Sequence, residues 1–124
     1  MNILLWVVAG LLALAFLAAG AMKLTRPKAQ LAESGLAWVE DFTPGAVKGI
    51  GAVEVLGALG LVLPAVTGIA PVLVPLAATG LALTMVGAAV VHVRRGETQM
   101  IVVNVVLLLL AAFVAWGRFG SHAF

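Results

Sequence analysis

The sequence predicts an all-α fold, a four-helix bundle that is an integral membrane protein. Of its 124 residues, 64% are hydrophobic and only 10% are charged, and the mean hydropathy is +1.22. A water-soluble domain of this size needs more polar surface. The hydrophobic residues are concentrated in four long runs, without the alternation of polar and apolar residues that a membrane barrel requires. Because a backbone inside a bilayer must satisfy its own hydrogen bonds, each run is predicted to be a helix.

The four runs lie at residues 2–22, 46–66, 71–91 and 100–116. Each has the ~17–22 residues that cross ~30 Å of hydrocarbon at ~1.5 Å per residue. The first run ends in small residues, Ala18 to Ala21, that resemble a signal-peptide cleavage site. No Lys or Arg precedes that run, so we expect it to be retained as a span. We predict one domain over residues 1–124, with residues 23–45 as its longest loop.

Positive charges predict the orientation of the chain. With four spans, one side of the membrane receives Lys23, Arg26, Lys28, Lys48, Arg94 and Arg95, and the other receives Arg118. Lys and Arg are enriched in cytoplasmic loops, so the loop 23–45 is predicted to be cytoplasmic and both termini to lie outside. The net charge of +2 is explained by this topology, and no nucleic-acid partner is expected.

The loop 23–45 has features of its own. A short amphipathic helix is predicted at about Lys28–Ser34, lying at the membrane interface. Trp38 and Phe42 are predicted to anchor the loop at that interface, and Trp6 and Trp116 to anchor the opposite face.

A carboxylate, Glu54, lies inside the second run, where burial in hydrocarbon costs roughly 2–4 kcal/mol. Lys23 and His92 close the cytoplasmic ends of the first and third helices, and Asn104 lies one turn into the fourth from the same side. The neighbours of these residues one helical turn away are mostly small, Gly51 beside Glu54 for example, which permits close helix packing. We therefore predict that Glu54 meets Lys23 and Asn104, with His92 nearby.

Two protonation states of Glu54 are consistent with the sequence. A charged carboxylate can pair with Lys23 and accept a hydrogen bond from Asn104. A protonated carboxyl is the alternative, because a neutral acid costs less to bury. The cluster either holds the helices in register or handles protons, an ion or a quinone headgroup.

Several kinds of chemistry are not expected. The chain has no cysteine, which excludes disulfides and thiol chemistry. His92 and His122 are predicted on opposite sides of the membrane, too far apart to ligate one haem. One His, one Glu and one Asn are too few ligands for a convincing metal site, so no metal is expected.

A resemblance to a known family rests on four segments in order: AAGAMKLTRPKAQLAESGLAWVEDF, VKGIGAVEVLGALGLVLPAVTGIAP, LALTMVGAAVVHVRRGE and VVNVVLLLLAAFVAWGRFG. They resemble the DoxX-like family of small bacterial membrane proteins, and they include Lys23, Glu54, Gly57, Pro64, His92, Arg94, Glu97 and Asn104. The resemblance implies a four-helix bundle in the bacterial cytoplasmic (inner) membrane. It also implies an association with thiosulfate:quinone oxidoreductase or with related membrane oxidoreductase assemblies.

The leading hypothesis is an integral membrane subunit or accessory of a quinone-linked oxidoreductase. Glu54 and His92 would exchange protons with a quinone headgroup, and Lys23 and Asn104 would hold the carboxylate in position. Whether the chain is itself an enzyme stays open, because these residues include no cysteine and no soluble catalytic domain is expected among them. A partner subunit or a bound quinone would supply the redox group.

Two alternatives remain. Small proton-coupled transporters also have four short helices and one membrane carboxylate, but no aromatic cage for a lipophilic cation is expected beside Glu54. A non-catalytic membrane scaffold would bind a soluble partner through Arg94 and Arg95. The many glycines and alanines favour further helix contacts, so a homo-oligomer is expected.

Overall fold

The computed structural model describes residues 1–33, 37–120 and 122–123, which form helices and, within those ranges, no strand. The long helices are α1 (Asn2–Thr25), α3 (Pro44–Thr67), α4 (Leu73–Arg95) and α5 (Thr98–Phe119); a short helix α2 (Lys28–Glu33) and a 3-10 helix (Ala37–Asp41) connect α1 to α3. All four long helices are apolar and long enough to cross a membrane. The predicted all-α fold and the four predicted spans are therefore confirmed.

Helix α1 ends where the chain approaches Pro27. Arg26 is extended, with φ −102° and ψ 142°, because the ring of a proline disfavours helical backbone in the residue before it. Helix α3 begins at Pro44, which lacks the N–H that a first helical residue leaves unused. The Thr43 side chain accepts a hydrogen bond from the Ala46 N–H at 3.1 Å, which caps that helix.

Two glycines end the next two helices. Gly68 follows α3 with φ +73°, and Gly96 follows α4 with φ +71°. A left-handed residue of this kind stops a helix and turns the chain sharply, and glycine adopts it without steric cost. Helices α4 and α5 therefore form a tight antiparallel hairpin.

The four long helices form a ring in the order α1, α3, α4, α5. The α1–α3 and α4–α5 pairs pack most extensively, α3 also packs on α4, and α5 also packs on α1. We call the end that carries α2, the 3-10 helix and the α4–α5 turn the loop end, and the opposite end the terminal end. The amphipathic helix predicted at residues 28–34 is found as α2, although Ser34 lies outside the described residues.

Glycine allows α1 and α3 to approach each other closely. A Cβ atom added to Gly20 would lie 2.6 Å from the Gly51 carbonyl oxygen, and one added to Gly51 would lie 2.8 Å from Lys23 Cβ. The predicted inward packing of the small residues is confirmed here. This contact brings the Lys23 side chain beside the face of α3 that carries Glu54.

Apolar side chains form two buried clusters. The larger one fills the bundle between the long helices and includes Leu12, Phe16, Leu61, Leu81 and Val114. The smaller one lies at the loop end and consists of Leu31, Trp38, Val39 and Val47. Trp38 is only 9% exposed, so the prediction that it anchors the loop at the interface is wrong. The ring instead packs into the protein and fixes the 3-10 helix on the bundle.

Candidate functional site

The centre of the candidate site is an ion pair between α1 and α3. Lys23 Nζ lies 2.5 Å from Glu54 Oε1, and the two residues are 8% and 3% exposed. Lys23 reaches this position because it lies at the close α1–α3 contact formed by Gly20 and Gly51. The predicted meeting of Lys23 and Glu54 is confirmed, and it compensates a carboxylate that would be costly in hydrocarbon on its own.

Asn104 of α5 is buried at 6% exposure, but its amide nitrogen does not donate a hydrogen bond to Glu54. Its Nδ2 atom has no hydrogen-bond partner within the described part of the chain. The predicted hydrogen bond from Asn104 to the carboxylate of Glu54 is therefore wrong. A buried N–H donor without a partner costs about 1–3 kcal/mol, so such a group in a native protein calls for an explanation.

His92 of α4 is 4% exposed and is held from the loop end. Its Nδ1 atom lies 2.9 Å from Glu97 Oε1, and the same oxygen lies 3.2 Å from Arg95 Nε. The Glu97 side chain is 24% exposed, because it follows the turn at Gly96 that ends α4. The imidazole is thus connected through one carboxylate to the surface of the loop end.

Trp38 contacts one residue of each pair, Lys23 of the Lys23–Glu54 pair and His92 of the His92–Glu97 pair. Lys23 Nζ lies 5.7 Å from the centre of the indole ring, within the range of a cation–π interaction. The His92 ring meets the indole edge to face, with 6.4 Å between ring centres, and Phe42 does so at 5.6 Å. The 3-10 helix thus covers the charged residues from the loop end.

These side chains surround a cavity of about 540 Å³, a size typical of sites for small organic ligands. Lys23, Glu54, His92 and Asn104 all line it, and all four predicted site residues therefore share one space. Most of the remaining wall is apolar or aromatic and includes Phe16, Trp38, Phe42, Met85 and Leu107. The arrangement suits a mostly apolar molecule that carries a few polar atoms.

The terminal end has a separate polar contact. Arg118 is 4% exposed and donates hydrogen bonds to Asn2 Oδ1 at 2.7 Å and to the His122 carbonyl oxygen at 2.9 Å. Its guanidinium lies 5.9 Å from the Trp6 ring centre. This contact joins α5 to α1 at the end opposite the cavity.

Comparison with known families decides the membership of the chain. The sequence model of the DoxX-like family matches residues 7–114, a range that reaches into all four long helices and contains every residue of the cavity. The chain belongs to the DoxX-like family. Neither a curated protein nor a solved structure gives a significant match.

Sequence reasoning missed two residues of this DoxX-like site. Glu97 is the partner of His92; it belongs to the segments that resemble the family and follows the helix-ending Gly96, but it was not assigned to the site. Trp38 lines the cavity together with Phe16 and Phe42, although no aromatic cage was expected beside Glu54. No group of three His, Asp or Glu residues that could hold a metal ion is found in the described ranges.

Proposed function

We propose that this DoxX-like protein is a membrane subunit or accessory of a quinone-linked oxidoreductase and that its cavity holds the quinone headgroup. The observation that carries the proposal is the Nδ2 donor of Asn104, which lines the cavity and has no partner among the described residues. A carbonyl oxygen of a bound headgroup would accept its hydrogen bond. The desolvation cost of that amide is then recovered on binding.

The residues of the cavity fit such a headgroup. A quinone is a flat, apolar ring with two carbonyl acceptors, and the cavity combines aromatic walls with the donors Lys23 and Asn104. Lys23 forms an ion pair with Glu54, with 2.5 Å between Nζ and Oε1. An ammonium has three N–H donors, so a second one could donate to a headgroup oxygen while the ion pair stays in place. When bound, a quinone supplies two-electron, two-proton redox chemistry.

The protein would move protons through His92 and Glu97. His92 lines the cavity, and its Nδ1 atom is 2.9 Å from a Glu97 oxygen. An imidazole can take up a proton on one ring nitrogen and release one from the other. Glu97 is part-exposed at the loop end, so it can pass that proton to water. Glu54 holds a second exchangeable proton site beside Lys23.

We propose the bacterial cytoplasmic membrane as the location, with the loop end facing the cytoplasm and both termini outside. Six of the seven Lys and Arg residues belong to the loop end, and Arg118 belongs to the terminal end. This distribution supports the orientation. A partner subunit and a homo-oligomer stay predictions.

The two alternatives have less support from the geometry. For a transporter of lipophilic cations, the aromatic walls are favourable, but the Lys23 ammonium beside Glu54 adds positive charge where the cation would bind. For a scaffold, the basic residues of the loop end are accounted for by membrane topology. The cavity and its buried polar residues have no role in that hypothesis.

Replacing Asn104 by leucine tests the proposal. We expect Asn104→Leu to weaken the binding of a soluble benzoquinone analogue by about tenfold, because one hydrogen bond of about 1–1.5 kcal/mol is lost. The stability of the ligand-free protein should stay the same or rise by up to about 1 kcal/mol, because the buried Nδ2 atom has no partner in the described chain. Calorimetry in detergent micelles measures both quantities.

Thr84→Val is the matched control. Thr84 also lines the cavity, but its hydroxyl already donates to the Gly80 carbonyl at 2.8 Å, so its loss should leave binding within about twofold. If the wild-type protein binds no quinone analogue, the proposed function is wrong. Equal weakening by both variants would show that the amide has no special role.

Glu97→Gln tests the proton path. We expect the variant to bind the analogue as the wild type does, because Glu97 is not part of the cavity wall. The exchange of the His92 ring proton with water should slow by about tenfold or more, because the amide cannot accept and release a proton. NMR line widths of the imidazole measure this rate. Glu33→Gln, which changes an exposed acid of α2, should leave the rate unchanged; an unchanged rate in Glu97→Gln would refute the path.

A further inference from the structure

The cavity has an apolar side that reaches the surface of the bundle between α1 and α5. Ala15 on α1 and Val103 on α5 both line the cavity, and both are exposed, Val103 at 45%. Asn104, the next residue along α5, is buried. The same wall of the cavity therefore continues from a buried polar group to side chains on the surface of the bundle.

Helices α1 and α5 are in close contact towards the terminal end. A Cβ atom added to Gly117 would lie 2.7 Å from Leu5 Cδ2, so the two helices touch closely there. Towards the loop end, Ala15 and Ala19 of α1 and Val103 of α5 line the cavity instead. The cavity therefore reaches the surface between these two helices in a lateral slot, which we define by Ala15, Ala19 and Val103.

We propose that this lateral slot holds the apolar tail of a membrane-borne ligand whose headgroup lies at Lys23 and Asn104. The polar groups lie inside the bundle, and the slot that leads from them to the bilayer is lined by alanine and valine. A molecule that matches both parts is an amphiphile with acceptor oxygens in its headgroup and a long alkyl or isoprenoid chain. A water-soluble ligand without an apolar tail has no group that would occupy a slot lined by alanine and valine.

The loop end supports access from the membrane. Trp38 and Phe42 of the 3-10 segment cover the cavity there, and the cluster of Leu31, Val39 and Val47 closes the same end beneath α2. A headgroup that enters from the loop end would have to displace these side chains. Entry between α1 and α5 would pass the smaller side chains Ala15, Ala19 and Val103.

The inference rests on the proposed function and is tested with two probes and two variants. The probes are a benzoquinone that carries a long alkyl tail and the same headgroup with a methyl group in place of the tail. Val103→Phe narrows the slot, and Val102→Phe is the matched control, because Val102 is 60% exposed and is not part of the cavity wall. Binding of both probes is measured by calorimetry in the same micelles, so partitioning into the micelle is equal for all proteins.

We expect Val103→Phe to weaken the binding of the tailed probe by about tenfold and the binding of the methyl probe by less than about twofold. Val102→Phe should change neither. If Val103→Phe weakens both probes equally or weakens neither, the slot does not hold the tail, and the proposed headgroup site stands. If the wild-type protein binds neither probe, the proposed function and the slot are both wrong. Both substitutions are at exposed positions, and retained thermal stability of each variant confirms that it folds.

Discussion

Replacing Lys23 by methionine is expected to destabilise the bundle by about 3 kcal/mol. The substitution leaves Glu54, which is 3% exposed, without the ammonium that lies 2.5 Å from its carboxylate. Removing one partner of a buried ion pair costs about 3–5 kcal/mol, because the remaining charge is buried without compensation. Reversible unfolding by a denaturing detergent in mixed micelles measures the change in the free energy of unfolding.

Two further variants test the physical reason. Lys48→Met removes a lysine of the same end that is exposed and donates one hydrogen bond to the Leu24 carbonyl at 2.9 Å, so it should cost only about 1 kcal/mol. Adding Glu54→Gln to Lys23→Met should recover part of the lost stability, since no charge is then buried alone. Equal costs for Lys23→Met and Lys48→Met would mean that the pair does not stabilise the fold.

Gly20→Ala is expected to be the second most damaging of the substitutions considered, at about 1–3 kcal/mol. The new methyl group would lie 2.6 Å from the Gly51 carbonyl oxygen and 2.7 Å from Val55 Cγ2. The backbone contact cannot be relieved by a side-chain rotation, so α1 and α3 must separate. That separation also draws Lys23 away from Glu54. The same detergent unfolding assay measures the loss.

Gly10→Ala provides the control on the same helix. No heavy atom lies within 4 Å of a Cβ atom added to Gly10, and alanine is favoured over glycine in a helix by about 1 kcal/mol. The variant should therefore be as stable as the wild type or more stable. A loss of stability in Gly10→Ala as large as that in Gly20→Ala would show that helix packing is not the cause.

The sequence was sufficient for the fold because the bilayer leaves few choices. Runs of apolar residues of the right length must be helices in lipid, and their number and limits follow from the positions of the charged residues. The Lys23–Glu54 pair was predictable for the same reason, because a carboxylate inside a span requires a partner. The glycines one turn from each residue indicated which faces meet.

The positions of Asn104 and Trp38 could not be predicted in the same way. An amide one turn inside α5 can reach acceptors on either neighbouring helix, and only the structure shows that its Nδ2 atom reaches none in the described residues. Trp38 lies in a connecting segment, where apolar periodicity is too short to show which face is buried. Its burial depends on how the 3-10 helix folds back over the bundle. The roles of the four cavity residues in binding or proton exchange stay predictions.

The helix pairing has a consequence for what connects the two halves of the bundle at the loop end. Lys23 and Glu54 bond within the α1–α3 half, and His92 and Glu97 bond within the α4–α5 half. At the terminal end, Arg118 of α5 donates a hydrogen bond to Asn2 of α1 and so joins the two halves. Neither pair crosses from one half to the other, although α3 also packs on α4. At the loop end the indole of Trp38 contacts both Lys23 and His92, so its fluorescence would report a change in the distance between the halves.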